Sequence, residues 1–292
     1  MAEPEVLYEE RDAIAIVTLN RPEKMNTLTA AMIDGVGEAI DRATASRAVR
    51  AVVLRGAGRA LTGGYDLDPA KGDLYHDWPR PYAAPTPEPR EGAWDPVDDM
   101  QSMGHNVRQF MKIWECPKPV LGQVHGWAIG GATDLVLCCD LLYMAEDAYI
   151  GYAPSRIFGT PTTMLWIYRL GLEHAKQFLL SGDAIDAETA HRIGLVAYVC
   201  PADEIAGRIE AHAQRFAHIP ANQLAMNKLL INQAYENMGL RTSQLLGTLC
   251  DGITRHTEEA YRWLEKIETQ GLRATVAERD APFGDYGARP KK

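Results

Sequence analysis

Val124-His125-Gly126-Trp127-Ala128-Ile129-Gly130-Gly131-Ala132-Thr133-Asp134-Leu135 is the stretch on which the reading of the fold turns. It follows an apolar, strand-like run, Pro119 to Val124, and opens an apolar helical run that ends near Cys138-Cys139-Asp140. A strand, a glycine-rich turn and a helix N-terminus in that order gather backbone N–H groups where negative charge is favoured. Asp134 stands three residues beyond Gly131, so a helix starting at the glycine puts both on one face. A carboxylate one turn behind an amide that can hold an oxyanion suits acid–base chemistry beside a carbonyl. A plainer reading is open too: the glycines only ease close packing at a strand-to-helix turn.

A second segment bears on that choice. Ala51-Val52-Val53-Leu54-Arg55-Gly56 reads as a buried strand, and Gly58-Arg59-Ala60-Leu61-Thr62-Gly63-Gly64-Tyr65-Asp66-Leu67 follows it. Glycines here again let backbone approach a ligand closely. Two such segments can each aim one N–H at a single carbonyl oxygen.

Working outward, Ile14 to Leu19 reads as a strand ended by Arg21-Pro22, and Thr29 to Ala43 has helical spacing. Strand signals return at 51–54, 120–124 and 141–150, and Leu195 to Val199 is a late strand candidate entered through Gly194. Glu146 and Asp147 read as an exposed turn. This alternation predicts an α/β fold built on crossovers. From Ile205 onward the patterns are helical, with stripes at Ile205, Ile209, His212, Ala213 and Phe216, and again from Leu224 to Tyr235. The organisation expected is a core over residues 1–204 and a helical region over 205–292. Residues 69–99 form an irregular insertion rich in proline, with Tyr75, Trp78, Tyr82 and Trp94. A loop so long is usually functional or disordered, and its aromatic residues need something to pack on. It reads as a lid over the pocket beside the second glycine-rich turn, which it directly follows, or else as an excursion packed on its own subunit or a neighbour.

The chain resembles the crotonase (enoyl-CoA hydratase/isomerase) superfamily. The likeness is carried by Asn20 to Leu28 as a first strand-to-helix turn, Ala60 to Leu67 as an oxyanion loop, His125 to Asp140 as the glycine-rich segment, and Ala148 to Arg169 as the next strand and substrate loop. The order and spacing of four motifs are specific where any one alone is weak. The resemblance implies a crotonase-like spiral of ββα units with a C-terminal helical trimerisation region. It also implies a coenzyme A thioester held by two backbone amides, which fall on Tyr65 and Gly131. Coenzyme A arrives as part of the acyl-CoA substrate, so no separate cofactor and no metal are expected, and the assembly expected is a homotrimer or hexamer.

Asp134 is the expected catalytic acid/base. Hydratases of the family carry Glu there and a second Glu further on, while its diene isomerases carry Asp at the first place. Aligning Pro154 with the family proline, across a one-residue insertion, puts Ser155 where the second Glu would stand. A serine hydroxyl has no acidic proton near pH 7 and cannot replace that group. Tyr152 and Arg156 lie nearby; Tyr152 is read either as a holder of water or as packing, and Arg156 either as lowering the pKa of Asp134 or as a surface residue. The expected substrate-binding positions are Lys24, Met25, Ala60, Gly63 and Leu67 on the first two turns, and Gly130, Tyr152, Pro154, Ser155 and Arg156 around the third. Arg59 is a further phosphate candidate, and Phe283 and Lys291 are candidates to cover coenzyme A. His125 reads as a hydrogen-bonded structural residue, and Asp66 as fixing its turn.

Bulk properties narrow the classes. The net charge of −9 makes nucleic acid an unsuitable partner, so a polyanionic ligand must be met by local Lys and Arg. No apolar run reaches the ~18–20 residues of a membrane span. Met1-Ala2-Glu3-Pro4-Glu5 lacks the basic and apolar regions of a signal peptide. The five cysteines, at 116, 138, 139, 200 and 250, read as reduced core residues, and a cytoplasmic location is expected. The leading expectation is an enoyl-CoA hydratase with a non-standard acid/base set. Its rivals are an isomerase or other enolate chemistry using Asp134 alone, an acyl-CoA-binding protein that lost catalysis, and a structural subunit.

Overall fold

A computed structural model describes residues 3–67 and 96–286 of the chain. Strands β1 (Val6–Arg11) and β2 (Ile14–Leu19) form a hairpin whose two turn residues, Asp12 and Ala13, both have positive φ. That backbone matches the twist of paired strands, although Ala is an unusual occupant and gave no turn signal. After a 3-10 turn at Pro22–Lys24, helix α1 (Ala30–Ala45) is capped by Thr29, whose hydroxyl accepts from Met32 N at 3.0 Å. Then come β3 (Ala51–Gly56), α2 (Pro96–Glu115), β4 (Val120–Val124), β5 (Trp127–Ile129), α3 (Gly131–Val136), β6 (Leu141–Ala145) and β7 (Tyr149–Gly151). These are followed by α4 (Leu165–Ser181, interrupted at Gly171), β8 (Ile185–Asp186), α5 (Ala187–Arg192) and β9 (Tyr198–Cys200). Five helices complete the described chain: α6 (Ile205–Phe216), α7 (Ala221–Asn237), α8 (Leu240–Thr254), α9 (Glu258–Gln270) and α10 (Leu272–Asp280).

The larger sheet has the order β1-β2-β3-β4-β6-β9, parallel throughout after the first hairpin. Strands buried on both faces, as β2, β3 and β4 are, read as continuous apolar runs. A smaller sheet, β5-β7-β8, stands apart from it. This α/β architecture of repeating strands and helices, closed by C-terminal helices, is the crotonase fold. Helix α6 lies on β2, β3, β4 and β6 with Ile205, Ile209 and Ala213 buried, so the helical region begins as part of the core. Four of the cysteines are buried, Cys250 is half-buried, and all five are free thiols.

Several sequence expectations are corrected. The glycine-rich turn does not pass directly from β4 to a helix: Trp127–Ile129 first pairs with β7 as β5. The 141–150 signal divides into β6 and β7 at the exposed turn Glu146-Asp147. Of Leu195 to Val199 only the last two residues join a strand, because Leu195 and Val196 bury their side chains in the turn before β9. The end of the 69–99 insertion, from Pro96, is helical and opens α2; its aromatic part lies outside the described residues. The Leu224 to Tyr235 stripe is helical as expected, within α7; there Leu229, Leu230 and Ile231 are exposed, and the buried side chain is Lys228, which donates to Ile113 O, Lys118 O and Asp140 Oδ2. Among the described residues no helix is long and apolar enough to cross a membrane.

Asn26 ties the first turn to the second. It is fully buried, accepts from Arg21 N at 2.8 Å, and donates to Ala57 O, Ala60 O and Leu61 O at 2.8, 2.9 and 3.1 Å. Asn26→Ala leaves several buried groups without partners and should destabilise the fold by about 2–4 kcal/mol in denaturant titration; a change within error would show that these bonds are replaced by water.

Candidate active site

The Ala60–Leu67 segment is held from two sides. Leu61 N donates to His125 O at 2.9 Å and Thr62 N to Trp127 O at 3.2 Å, which pins the segment to β5. Opposite, Leu28 N donates to Gly64 O at 2.8 Å and Asp66 N to Leu28 O at 3.0 Å. Because successive N–H groups alternate in extended chain, the Tyr65 N–H faces away from Leu28. Gly64 has φ +95°, and a Cβ there would stand 2.5 Å from Ile129 O and 3.7 Å from Gly131 N. A Cβ on Gly131 would lie 2.5 Å from the Tyr65 ring. These two hydrogens-only positions let the backbone around Tyr65 and Gly131 come together. Gly131 is the first residue of α3, where an N–H has no partner in its own helix. Among the described residues, neither the Tyr65 nor the Gly131 N–H is taken by a protein acceptor.

Asp134 lies on the first turn of α3 and is buried. Its Oδ1 accepts from both N and Oγ1 of Thr163, each at 2.9 Å, while its Oδ2 is buried with no protein partner. Burial pushes the carboxyl from its ordinary value near 3.8 up to about 7; the Thr163 bonds oppose the rise, and the charge of Asp251 adds to it. Tyr152 is buried beside this carboxyl, its hydroxyl pushed up first by burial and then by the charges of Asp134 and Asp251. The Tyr65 hydroxyl is raised for the same reasons, burial first and Asp134 next.

The other expected positions divide. Lys24 and Arg59 are exposed on adjoining turns, for a Cβ at Gly58 would touch Pro22 at 2.7 Å. Met25 is half-buried and its carbonyl accepts from Gly63 N at 2.9 Å; Ala60 is buried, and half-buried Leu67 ends the first described stretch. Gly130 packs on Pro154, whose Cγ would lie 3.1 Å from a Cβ. Ser155 sits in a 3-10 turn, Ala153–Arg156, and is not among the partners of Asp134. Arg156 is drawn away from Asp134: its guanidinium bonds Asp183, Asp280 and Asp285 at 2.6–3.1 Å, and Phe283 covers it at 3.7 Å. That ion cluster is nearly closed to solvent on the arginine side, and the leading influences on the Asp134 carboxyl are its burial, Thr163, Asp251 and the Thr162 backbone. Phe283, half exposed, stacks on this guanidinium, and Lys291 lies outside the described residues. His125 Nε2 donates to Gly58 O at 3.1 Å, as a structural histidine would. Asp66 pairs with buried Arg21 at 3.0 Å.

Sequence reasoning missed Thr163 and Asp251. Asp251, on α8, is buried; its Oδ1 accepts from Thr160 N at 3.0 Å, and it pairs with Arg255 at 2.8 Å. The readable signal was an inverted helix. Gln244, Gly247, Thr248 and Asp251 face inward, while Leu245, Leu246, Leu249 and Ile253 are exposed.

The raised carboxyl has a stability consequence. Asp134 binds its proton more tightly folded than unfolded, so its contribution is present at low pH and is lost as pH rises through about 7. Asp134→Asn removes that loss, and its Tm should gain on the parent between about pH 4 and about pH 7. Parallel Tm curves over that range would mean that Asp134 is not desolvated.

Residues 9–86 and 91–271 match the family described as enoyl-CoA hydratase/isomerase. The chain is similar to an enoyl-CoA hydratase structure from Mycobacterium smegmatis, 35% identical, TM-score 0.86, covering 98% of this chain and 96% of that one. An enoyl-CoA hydratase/isomerase structure from Xanthobacter autotrophicus Py2 is 28% identical with TM-score 0.84, covering 96% and 98%. The mitochondrial enoyl-CoA hydratase of Pongo abelii is 26% identical over 292 residues, 96% of this chain and 88% of the relative. The chain belongs to the enoyl-CoA hydratase/isomerase family.

Proposed function

We propose that the protein hydrates an enoyl-CoA thioester, with the Tyr65 and Gly131 amides as oxyanion hole and Asp134 as acid/base. One observation carries the reading: a buried carboxylate with one oxygen clamped and the other without a protein partner, on the first turn of the helix that Gly131 opens. In the forward step the water oxygen bonds to Cβ, the water proton passes to Oδ2 of Asp134, and the double-bond electrons move onto the thioester oxygen. The two N–H groups hold that charge, and removing one such donor costs ~2.7–4 kcal/mol in the barrier. Asp134 then returns the proton to Cα and the carbonyl re-forms, so one water has added across the double bond. A pKa of about 7 suits a group that takes and gives a proton in turn. Tyr152, which stays protonated, is a donor beside the carboxylate able to orient the water in place of the missing second Glu. Exposed Lys24 and Arg59 are proposed to meet the phosphates of coenzyme A, which enters with the substrate; no metal or further cofactor has a role in these steps.

The absence of a carboxylate at Ser155 favours a second reading, double-bond isomerisation, in which Asp134 alone takes a proton from one carbon and delivers it to another. A panel of enoyl-CoA thioesters followed by mass spectrometry separates the two: gain of one water for hydration, unchanged mass with a moved double bond for isomerisation. Binding without either leaves an acyl-CoA-binding protein. Asp134→Asn should lower turnover by ~10²–10⁴-fold, and Ser155→Ala should leave it near the parent rate; an unchanged rate in Asp134→Asn would remove Asp134 from the chemistry.

Self-association is proposed through α7 and α8. Leu229, Leu230, Ile231, Leu245, Leu246 and Ile253 are each more than half exposed in the single chain, a concentration of apolar surface that a monomer rarely leaves open. Light scattering should find a trimer or hexamer, and Leu230→Glu with Leu246→Glu should dissociate it; a monomeric parent would contradict the assembly.

A further inference from the structure

We infer that Asp251 is a positioning residue for Asp134, acting from α8 through the loop 159–164. The inference rests on the reading of Asp134 as the acid/base. The loop touches α8 at four places. Asp251 Oδ1 accepts from Thr160 N at 3.0 Å, Thr254 Oγ1 accepts from Gly159 N at 3.1 Å, Thr160 Oγ1 donates to Gly247 O at 2.8 Å, and Gln244 Nε2 donates to Thr163 O at 3.1 Å. At its far end the same loop donates twice to Oδ1 of Asp134. One short segment thus carries the register of α8 to a single carboxylate oxygen. The other oxygen is left without a protein partner.

The surroundings leave little room for the loop to drift. A Cβ at Gly159, whose φ is +113°, would lie 3.1 Å from Pro154, 3.3 Å from Asp251 Oδ1 and 3.9 Å from the Tyr152 hydroxyl. Asp251, Pro154 and Tyr152 therefore converge on the start of the loop. Asp251 is itself held by Arg255, and Arg255 by Asp99 of α2 at 3.2 Å, with His256 3.5 Å from the same Asp99. An ion pair buried in this way keeps a charged acceptor in place and is strongly disturbed when one partner is removed. The groups whose charge bears on Asp134 and Asp251 are Tyr65 from the second turn, Tyr152 after β7, Asp99 of α2, and Arg255 and His256 of α8.

Two substitutions separate the parts of this role. Asp251→Ala removes both the acceptor for Thr160 N and the charge. Asp251→Asn keeps an acceptor oxygen and removes only the charge. With Asp251→Ala, kcat on the enoyl-CoA thioester that the parent turns over should fall by about 10²-fold, the cost of a small misplacement of a proton-transfer group, with KM little changed. Asp251→Asn should recover most of that rate. Its acidic limb of kcat/KM should move to lower pH, because the charge that raises the carboxyl of Asp134 has gone. Wild-type kcat and an unmoved acidic limb in both variants, whatever their Tm, would overturn the inference and leave Asp251 a structural anchor. If Asp251→Ala does not fold, the limb position in Asp251→Asn decides alone. Failure of the underlying reading shows elsewhere, as full turnover by Asp134→Asn.

Discussion

No atom beyond hydrogen fits on Gly64 or Gly131, because a Cβ on either would collide with Ile129 O or the Tyr65 ring at 2.5 Å. Everything proposed for the site depends on that close approach of two backbone turns. It is prepared by ordinary means: a strand-like segment bonded on one side to β5 and on the other to Leu28, and a first turn knitted to it by the buried amide of Asn26. Backbone donors fixed in this way need no rearrangement when charge develops on a substrate oxygen, which is why preorganised amides are effective in excluded sites.

The approach of the turns also determines where the carboxylate lies. Gly131 opens α3, so Asp134 falls one turn later, inside the protein rather than on its surface. Burial alone would drive its carboxyl further up; the two Thr163 donors hold it near neutrality, and Asp251 pushes the other way. These opposing contributions come from the loop 159–164 and from α8. The outward face of α8 is apolar and exposed in the single chain, opposite the polar face that meets the loop.

Much of this was legible in the residues. The strand β2 coincides with the Ile14 to Leu19 signal, and the four motifs carried the fold because each is a local backbone requirement expressed as glycine, proline or an acid at fixed spacing. What was not legible depended on tertiary partners. Ser155 drew attention as the occupant of a familiar position, yet the groups beside Asp134 are Tyr152 and Asp251, one of them on a helix more than a hundred residues later. Arg156 looked like a cation near the site, and only the fold reveals three aspartates already around it. Leu229 to Ile231 lie in a stripe that reads as helical, but hydrophobic spacing does not say whether its partner is the same chain or another.

The central claim is that two backbone amides polarise a thioester carbonyl beside Asp134. The most direct test is isotope-edited infrared spectroscopy of an acyl-CoA labelled with ¹³C at the thioester carbonyl, bound to the slow Asp134→Asn enzyme, which retains both amides. The bound carbonyl band should lie below that of the free thioester in water, as two fixed N–H donors in an excluded site require. A bound band at the free frequency in Asp134→Asn, with the ligand shown to be saturating, would contradict the oxyanion hole and the chemistry built on it.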